Sequence, residues 1–282
     1  MSRHRTIIRA FLGATMMAGG MVALTPAAQA TIPVACDENA LVAAINQANS
    51  TPSADTLTLA SGCTYRMTSS HGSRTDGPDA LPIITTAIDL VGPATITRDS
   101  AQAFRIAEVS ATGKLTLTGI ALTNGSANGD GGAILNRGSV TLTDSSISGN
   151  SANNGGGLAN PNTLSGTAPT ATFTRSPVSS NTARYNGGGI FNGIRSTLTT
   201  TGVSGTPLLI TGNTAQTGGG IVAFYSGSTT LTRTSVTANH AGLTTGGVYR
   251  QGGAMANNSS TISANTPTNC AGSSPAVPGC TG

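Results

Sequence analysis

One short pattern returns along most of this chain, and it restricts the fold more than any other feature. Each copy has an apolar residue between two threonines, a second apolar residue, an asparagine with two small residues, and two or three glycines before another apolar residue. The repeat asparagines are Asn124, Asn150, Asn181, Asn213, Asn239 and Asn265, at separations of 26, 31, 32, 26 and 26 residues. A unit of about 26 residues therefore recurs, with loop-like insertions near Pro161 to Thr170 and Gly202 to Pro207.

The repeat predicts stacked parallel strands rather than helices or disorder. Apolar residues alternate with Thr and Ser over three to five positions, which is a strand signature, and no unit contains a helical run. With 3% aromatic residues and no Trp, the chain lacks the residues of an ordinary globular core. A unit of three short strands buries its apolar side only by stacking on its neighbours, about 4.8 Å apart. We predict an all-β fold, a single-stranded parallel β-helix or solenoid.

Stacking also predicts which residues lie above one another. The apolar residues between paired threonines form one internal ladder, and the second apolar residues form another. The first ladder comprises Leu117, Leu142, Phe173, Leu198 and Leu231, and the second comprises Ile147, Val178, Ile210 and Val236. The glycine pairs suit tight corners, and the six repeat asparagines are predicted to stack at a turn and to hydrogen-bond to the coils above and below.

The amino-terminal residues have the layout of a secretory signal peptide. Three arginines precede the largely apolar run 10–24, and the small-residue triplet Ala28-Gln29-Ala30 follows. We predict a signal peptide over residues 1–30, and a secreted protein that is extracellular or associated with the cell envelope. A membrane anchor is disfavoured because glycines interrupt the run, and no later segment is apolar enough to span a bilayer.

The rest of the chain divides into three predicted parts. Residues 31–80 hold a short N-terminal capping helix and the first coil, residues 81–268 the β-helix repeats, and residues 269–282 a stapled C-terminal tail. Three acceptor residues suit the start of the helix, and four apolar residues share one helical face. They are Asp37, Glu38 and Asn39, and Leu41, Ala44, Ile45 and Ala48. Such a helix would cover the open end of the solenoid, where exposed strand edges invite aggregation.

The four cysteines form two near pairs in sequence, Cys36 with Cys63 and Cys270 with Cys280. An exported chain meets oxidising conditions, so two local disulfides are favoured among the three pairings that four cysteines allow. Neither pair has the spacing of a zinc site, and we predict no metal and no cofactor.

The repeats resemble those of a known family. The Gly-Gly-apolar-x-Asn and Asn-Ser/Thr-Ala elements are similar to the repeats of the polymorphic outer-membrane-protein family, within the pectate-lyase-like superfamily. The segments 41–49, 55–59 and 62–65 are similar to a module that often precedes such repeats in exported bacterial proteins. The resemblance implies a right-handed parallel β-helix. It implies little about function, since the shared residues are those that build the coils.

Charge argues against nucleic acid as a partner. The chain carries a formal charge of +4, but from Thr31 onward ten Arg and Lys114 face ten carboxylates, a balance of +1. Without a basic cluster, neither nucleic-acid binding nor a polybasic membrane contact is predicted.

Catalytic candidates are sparse. Polysaccharide lyases and glycoside hydrolases of this fold need acidic residues near one bond, yet no Asp or Glu follows Asp144. Asp130 and Asp144 could approach each other on neighbouring coils, and Arg137 lies between them in sequence, but solvated turn residues are the simpler interpretation. We therefore predict no catalytic residues, and keep a lyase or hydrolase as the alternative function.

The favoured hypothesis is a secreted, non-catalytic β-helix protein of the cell surface or extracellular matrix. Its expected role is adhesin-like, with glycans or cell-surface proteins as partners, and its oligomeric state is left open. The Thr-x-Thr pairs suggest a minor alternative, since flat threonine ladders occur in ice-binding β-helices. Against ice binding, the two insertions are expected to break the regular spacing.

Overall fold

The computed structural model describes residues 31–161, 167–225 and 227–282. The predicted signal peptide, residues 1–30, lies outside the described residues, as does half of the first predicted insertion, residues 162–166. In the described part the chain is a right-handed parallel β-solenoid of about 8 turns with one helix, which confirms the predicted fold class.

The helix and strands follow in chain order. The first part contains β1 (Thr31–Val34), α1 (Glu38–Asn49), β2 (Asp55–Leu59), β3 (Cys63–Met67), β4 (Gly72–Arg74), β5 (Gly77–Asp79), β6 (Ala87–Arg98), β7 (Ala107–Val109), β8 (Lys114–Thr123), β9 (Ile134–Asn136), β10 (Ser139–Thr143), β11 (Ser146–Ser148), β12 (Ser151–Asn154) and β13 (Leu158–Asn160). The second part contains β14 (Thr170–Thr174), β15 (Val178–Ser179), β16 (Thr182–Asn186), β17 (Ile190–Asn192), β18 (Thr197–Thr201), β19 (Leu208–Thr211), β20 (Thr214–Ala215), β21 (Ile221–Phe224), β22 (Ser228–Thr232), β23 (Thr234–Thr237), β24 (His240–Ala241), β25 (Val248–Gln251), β26 (Ala254–Asn258) and β27 (Thr261–Ser263).

Each central coil contains four short strands rather than three. In one coil β10, β11, β12 and β13 follow one another, and each pairs in parallel with its counterpart in the next coil. The fourth strand arises because the small residues after each repeat asparagine also pair, in a four-stranded sheet of β12, β16, β20 and β24. The hairpin of β4 and β5 is antiparallel and lies outside this pattern.

The second predicted ladder is present as expected, but the first contains an error. Ile147, Val178, Ile210 and Val236 are in register. In the first ladder Phe173 lies beside Thr200, and Leu198 lies two residues away beside Ala171. Thr200 fits the core because its hydroxyl hydrogen-bonds to that of Thr234 at 2.7 Å. The predicted register of β18 was therefore wrong by two residues.

Five asparagines form a buried ladder along one corner. They are Asn150, Asn181, Asn213, Asn239 and Asn265. Each side-chain Nδ2 of the first four donates to the Oδ1 of the next asparagine at 2.9–3.0 Å. The same Oδ1 atoms also accept from a backbone N–H of the preceding coil at 3.0 Å. These bonds join neighbouring coils at a turn whose backbone groups are shielded from water.

Asn124 is not a member of this ladder, contrary to its predicted position. Gly125 occupies the equivalent site and donates its N–H to Oδ1 of Asn150 at 2.8 Å. Asn124 is exposed and precedes that site with φ 59°, a left-handed position that Gly149 and Gly212 occupy in later coils. Asparagine tolerates this conformation better than most residues, so Asn124 is an asparagine for a different reason from the asparagines of the ladder.

The glycine pairs make the next corner. Gly187 adopts φ 63°, and a Cβ on the following Gly188 would lie 2.4 Å from the carbonyl oxygen of Gly219 in the adjacent coil. Only glycine permits both the turn and this close approach.

The helix α1 closes one end of the solenoid, as predicted. Asp37 is its N-cap and accepts from the N–H of Ala40 at 3.0 Å, while the four predicted apolar residues are buried. A disulfide joins Cys36 to Cys63 with the Cα atoms 5.7 Å apart, and a second joins Cys270 to Cys280 in the tail. Both predicted pairs are therefore present. Within the described ranges, no helix is long and apolar enough to cross a membrane.

Glu38 ties this helix to the first coil. Its carboxylate accepts from the N–H of Thr68 at 3.0 Å, from the Thr68 hydroxyl at 2.7 Å and from the N–H of Ser69 at 3.2 Å, and it lies 2.9 Å from Nε2 of His71. Burial alone would raise the pKa of Glu38, but these hydrogen bonds lower it from an ordinary 4.5 to about 2.

A pH-dependent contribution to stability follows from this shift. Because the folded pKa lies below the unfolded one, the stabilisation is complete above pH 4.5 and is lost as the pH falls towards 2. We expect Glu38→Gln to lower the free energy of unfolding by about 1–2 kcal/mol at pH 7, with the difference from wild type vanishing near pH 2. Urea denaturation of both proteins at pH values between 7 and 2 measures this difference in unfolding free energy. Asp99→Asn, which removes an exposed ion pair with Arg66, is the control, and a cost for Glu38→Gln that does not vary with pH would contradict the assignment.

Candidate functional site

The two acidic residues weighed as a catalytic pair lie at different corners of the coil. Asp144 follows β10 and makes a bidentate ion pair with Arg175 at 2.7 and 2.6 Å, in which both side chains are largely exposed. The hydrogen bonds from Arg175 lower the pKa of Asp144. Asp130 precedes β9, and its Oδ1 accepts from Nδ2 of Asn154 at 2.8 Å. Arg137, which lies between the two in sequence, contacts Asp76 and Glu108.

A group of charged side chains, three of them fully buried, lies elsewhere, beside the hairpin of β4 and β5. We call this group the charge cluster, and its members are Arg74, Asp76, Asp79, Arg105, Glu108 and Arg137. Its centre is Arg105, whose side chain has no exposed surface. The guanidinium donates to Oδ1 of Asp79 at 2.6 Å and to three backbone carbonyl oxygens, those of Asp76, Asp130 and Gly77, at 2.6, 3.2 and 3.3 Å.

Glu108 lies on the outer side of β7, and its side chain has no exposed surface. Its carboxylate oxygens lie 3.4 Å from Arg137 Nε, 3.8 Å from Arg105 and 3.9 Å from Arg74. Among the described residues, neither oxygen has a hydrogen-bond partner, and neither does Oδ2 of Asp79. Burial raises the pKa of Asp79 to about 6, and the ion pair with Arg105 offsets this only in part.

A buried carboxylate with a raised pKa, such as that of Asp79, is a common mark of acid–base catalysis, so access of a substrate decides what this cluster can do. Asp79 and Glu108 both have side chains with no exposed surface. A glycosidic bond cannot reach either group in this conformation. Arg105 instead holds the hairpin onto β7, because it contacts both Asp79 of β5 and Glu108 of β7. Within the described part of the chain, no group of three or more acidic, His or Cys side chains could hold a metal ion.

An aromatic surface lies on the outer side of the six-stranded sheet. The outward positions there form a column in register, which runs from Glu108 through Leu135, Ala159, Phe191 and Val222 to Tyr249. Near its carboxyl-terminal end four aromatic residues gather, which we call the aromatic stripe: Phe191, Phe224, Tyr225 and Tyr249. From Leu135 onward the column is apolar although its side chains point away from the main core, and Leu135, Ala159, Phe191 and Val222 form a second, separate buried cluster.

The rings of the aromatic stripe are held in defined positions. Phe191 and Phe224 meet edge to face, with centroids 5.3 Å apart and planes at 79°, and Phe224 stacks on Tyr225 at 6.3 Å and 4°. Tyr225 is 51% exposed. A Cβ on Gly252 of the next coil would lie 2.8 Å from Cδ1 of Tyr225, so glycine at that position leaves room for the ring against the backbone.

Neither the charge cluster nor the aromatic stripe was predicted from the sequence. The stripe had a signal, because the x position of the Gly-Gly-apolar-x-Asn element holds Leu135, Ala159 and Phe191, none of which is polar. These positions are buried and pack as a second apolar cluster, and exposure begins with Phe224, Tyr225 and Tyr249 at its carboxyl-terminal end. The charge cluster had no such signal, since its members come from separate segments.

Comparisons with known proteins add no relative. No family model matches this chain, and no curated protein matches it. The parallel solenoid is therefore shown by the structure, while the resemblance to polymorphic outer-membrane-protein repeats stays a prediction.

Proposed function

We propose that this chain is a secreted, non-catalytic β-helix protein of the cell surface or extracellular matrix that binds glycans in an adhesin-like role. The observation that carries the proposal is the aromatic stripe, in which the buried Phe191 supports three rings that reach the surface, those of Phe224, Tyr225 and Tyr249. Export agrees with the two disulfides, which suggest an oxidising environment.

Aromatic rings suit sugar ligands for a physical reason. One face of a pyranose ring presents C–H groups that pack on an aromatic face, while its hydroxyls stay at the edge and bind polar groups or water. Phe224 and Tyr225 offer parallel faces, and Tyr225 and Tyr249 add phenolic hydroxyls. Rings that are already ordered lose little conformational entropy when a ligand arrives.

Charge distribution favours an anionic glycan. Residues 31–144 carry ten carboxylates against five Arg and Lys114, a balance of −4, whereas residues 145–282 carry five Arg and no carboxylate, a balance of +5. The aromatic stripe lies in the positive part of the chain. An acidic polysaccharide would be attracted to that part at low ionic strength and less so in high salt.

The test measures binding of the purified chain to polygalacturonate, with dextran as the uncharged counterpart. We expect Tyr225→Ala combined with Tyr249→Ala to weaken polygalacturonate binding about tenfold or more, because these rings would be central contacts. Tyr185→Ala is the matched control, since Tyr185 is also an exposed tyrosine but lies on β16 of the four-stranded sheet.

Two outcomes would overturn the proposal. Binding that the paired tyrosine variant leaves unchanged would place the contact surface elsewhere. Release of reducing ends or unsaturated products from polygalacturonate, abolished by Asp79→Asn, would make the lyase or hydrolase alternative the better account.

A further inference from the structure

Ten threonines form a regular net on one side of the solenoid, which we call the threonine array. Its strands are β8, β10, β14, β18 and β22, and each contributes two outward threonines. The members are Thr116 and Thr118, Thr141 and Thr143, Thr172 and Thr174, Thr199 and Thr201, and Thr230 and Thr232. All five strands pair in parallel with no shift of register, so the threonines stand in two straight columns.

The insertions do not interrupt this array, contrary to the expectation from the sequence. The first lies between β13 and β14 and the second between β18 and β19, so both fall between strands. Thr199 and Thr201 are the outward pair of β18, because Thr200 faces the core beside Phe173. The threonine array is therefore continuous, although the coils that carry it contain different numbers of residues.

The array presents hydroxyl and methyl groups without charge. Each of the ten threonines is partly exposed. Within the described residues, nine of their hydroxyls have no hydrogen-bond partner in the protein, and that of Thr232 accepts only a 3.4 Å bond from Asn258. Lys114 and the Asp144–Arg175 ion pair lie at its edges, and Asp89 ends it at the amino-terminal side. The unpartnered hydroxyls are free to bind water.

Spacing determines which partner such a net fits. Parallel strands repeat about every 4.8 Å, and alternate residues along a strand about every 6.6 Å. On the prism plane of hexagonal ice, the repeat along one axis is close to the first of these distances, and the repeat along the other axis is somewhat longer than the second. The β-branched threonine side chain has few χ1 rotamers, so the hydroxyls keep their places when water orders against them.

We infer that the threonine array is an ice-binding surface, with crystalline water as its ligand. Each hydroxyl contributes little alone, but ten in one array of paired strands engage the lattice together. The threonine methyl groups beside the hydroxyls disfavour contact with liquid water, and so they add to the preference of the array for ice. This inference rests on the array and not on the aromatic stripe, and the two functions use different faces of the coil.

The experiment measures thermal hysteresis and inhibition of ice recrystallisation by the purified chain. Wild type is expected to show both. Thr172→Lys, in the middle of the array, should lower thermal hysteresis about fivefold or more at equal concentration, because one long charged side chain keeps neighbouring threonines off the ice plane. Thr237→Lys is the matched control: it is an outward threonine on β23, in register with Thr211, and should retain the wild-type value.

A milder pair of substitutions guards against misfolding. Thr141→Val with Thr172→Val removes two hydroxyls while keeping the branched shape, and should lower hysteresis with little change in the urea midpoint. Tyr225→Ala should leave hysteresis unchanged, which separates this inference from glycan binding. Absence of hysteresis in the wild type, or equal losses in Thr172→Lys and Thr237→Lys, would overturn the inference.

Discussion

Replacing Arg105 by alanine should lower the free energy of unfolding by about 3–5 kcal/mol, measured by urea denaturation at pH 7. Its guanidinium is the buried partner of Asp79 and also satisfies three backbone carbonyl oxygens. Without it, the buried carboxylate of Asp79 loses its ion-pair partner, while Glu108 retains Arg137 at 3.4 Å and Arg74 at 3.9 Å. Removing one side of a buried ion pair costs far more than the pair itself contributes.

The control for this prediction is Arg66→Ala. Arg66 pairs with Asp99 at 3.2 Å, but the two side chains are 67% and 54% exposed. Solvent screens such a pair, so we expect a change of about 0.5 kcal/mol or less. Equal losses in the two variants would mean that the charge cluster contributes no more than a surface ion pair. Hydrogen exchange adds a local readout, since the amides of β4 and β5 should lose protection first in Arg105→Ala.

The sequence was sufficient to predict the architecture because the repeat encodes strand period and stacking together. Apolar residues at alternate positions require strands, and no single coil buries its apolar side, so the copies must stack. The helix α1 was equally accessible, since its cap residue and its apolar face are local features. The cysteine spacing led to the observed disulfides for the same reason.

Register within a strand was harder to predict. Residues 197–201 read Thr-Leu-Thr-Thr-Thr, so two frames place threonines on the outer face. The chosen frame put Leu198 beside Phe173, whereas the observed frame puts Thr200 there. In the observed frame, the hydroxyl of Thr200 hydrogen-bonds to that of Thr234 in a different coil. A pattern along one strand does not reveal a contact between coils.

The charge cluster was out of reach for a similar reason. Arg105 gathers partners from residues 76–79 and from residue 130, and only the path of the hairpin brings these segments together. Arginine is usually exposed in folded proteins, so the sequence alone would place Arg105 on the surface rather than in the interior. Pairs that depend on long-range folding are visible only in three dimensions.

Replacing Asn181 by alanine should cost about 3–5 kcal/mol of unfolding free energy, because each buried polar group left without a partner costs about 1–3 kcal/mol. Asn181 Nδ2 donates to the carbonyl of Ile147 at 3.1 Å and to Oδ1 of Asn213 at 3.0 Å. Its Oδ1 accepts from the N–H and the Nδ2 of Asn150. The substitution therefore weakens the joints on both sides of one coil, and urea denaturation monitored by far-UV circular dichroism measures the loss.

Asn124→Gly is the control that makes this prediction specific. The sequence pattern placed Asn124 and Asn181 in the same ladder, but Asn124 is exposed at φ 59°, where Gly149 and Gly212 occur in other coils. Its side chain makes only a 3.2 Å hydrogen bond to Thr97, so glycine should cost about 1 kcal/mol or less. Comparable losses at the two positions would contradict the buried ladder as the joint between coils. A large loss at Asn181 alone would mean that adjacent coils are held together at this corner by amide hydrogen bonds, and elsewhere by apolar ladders.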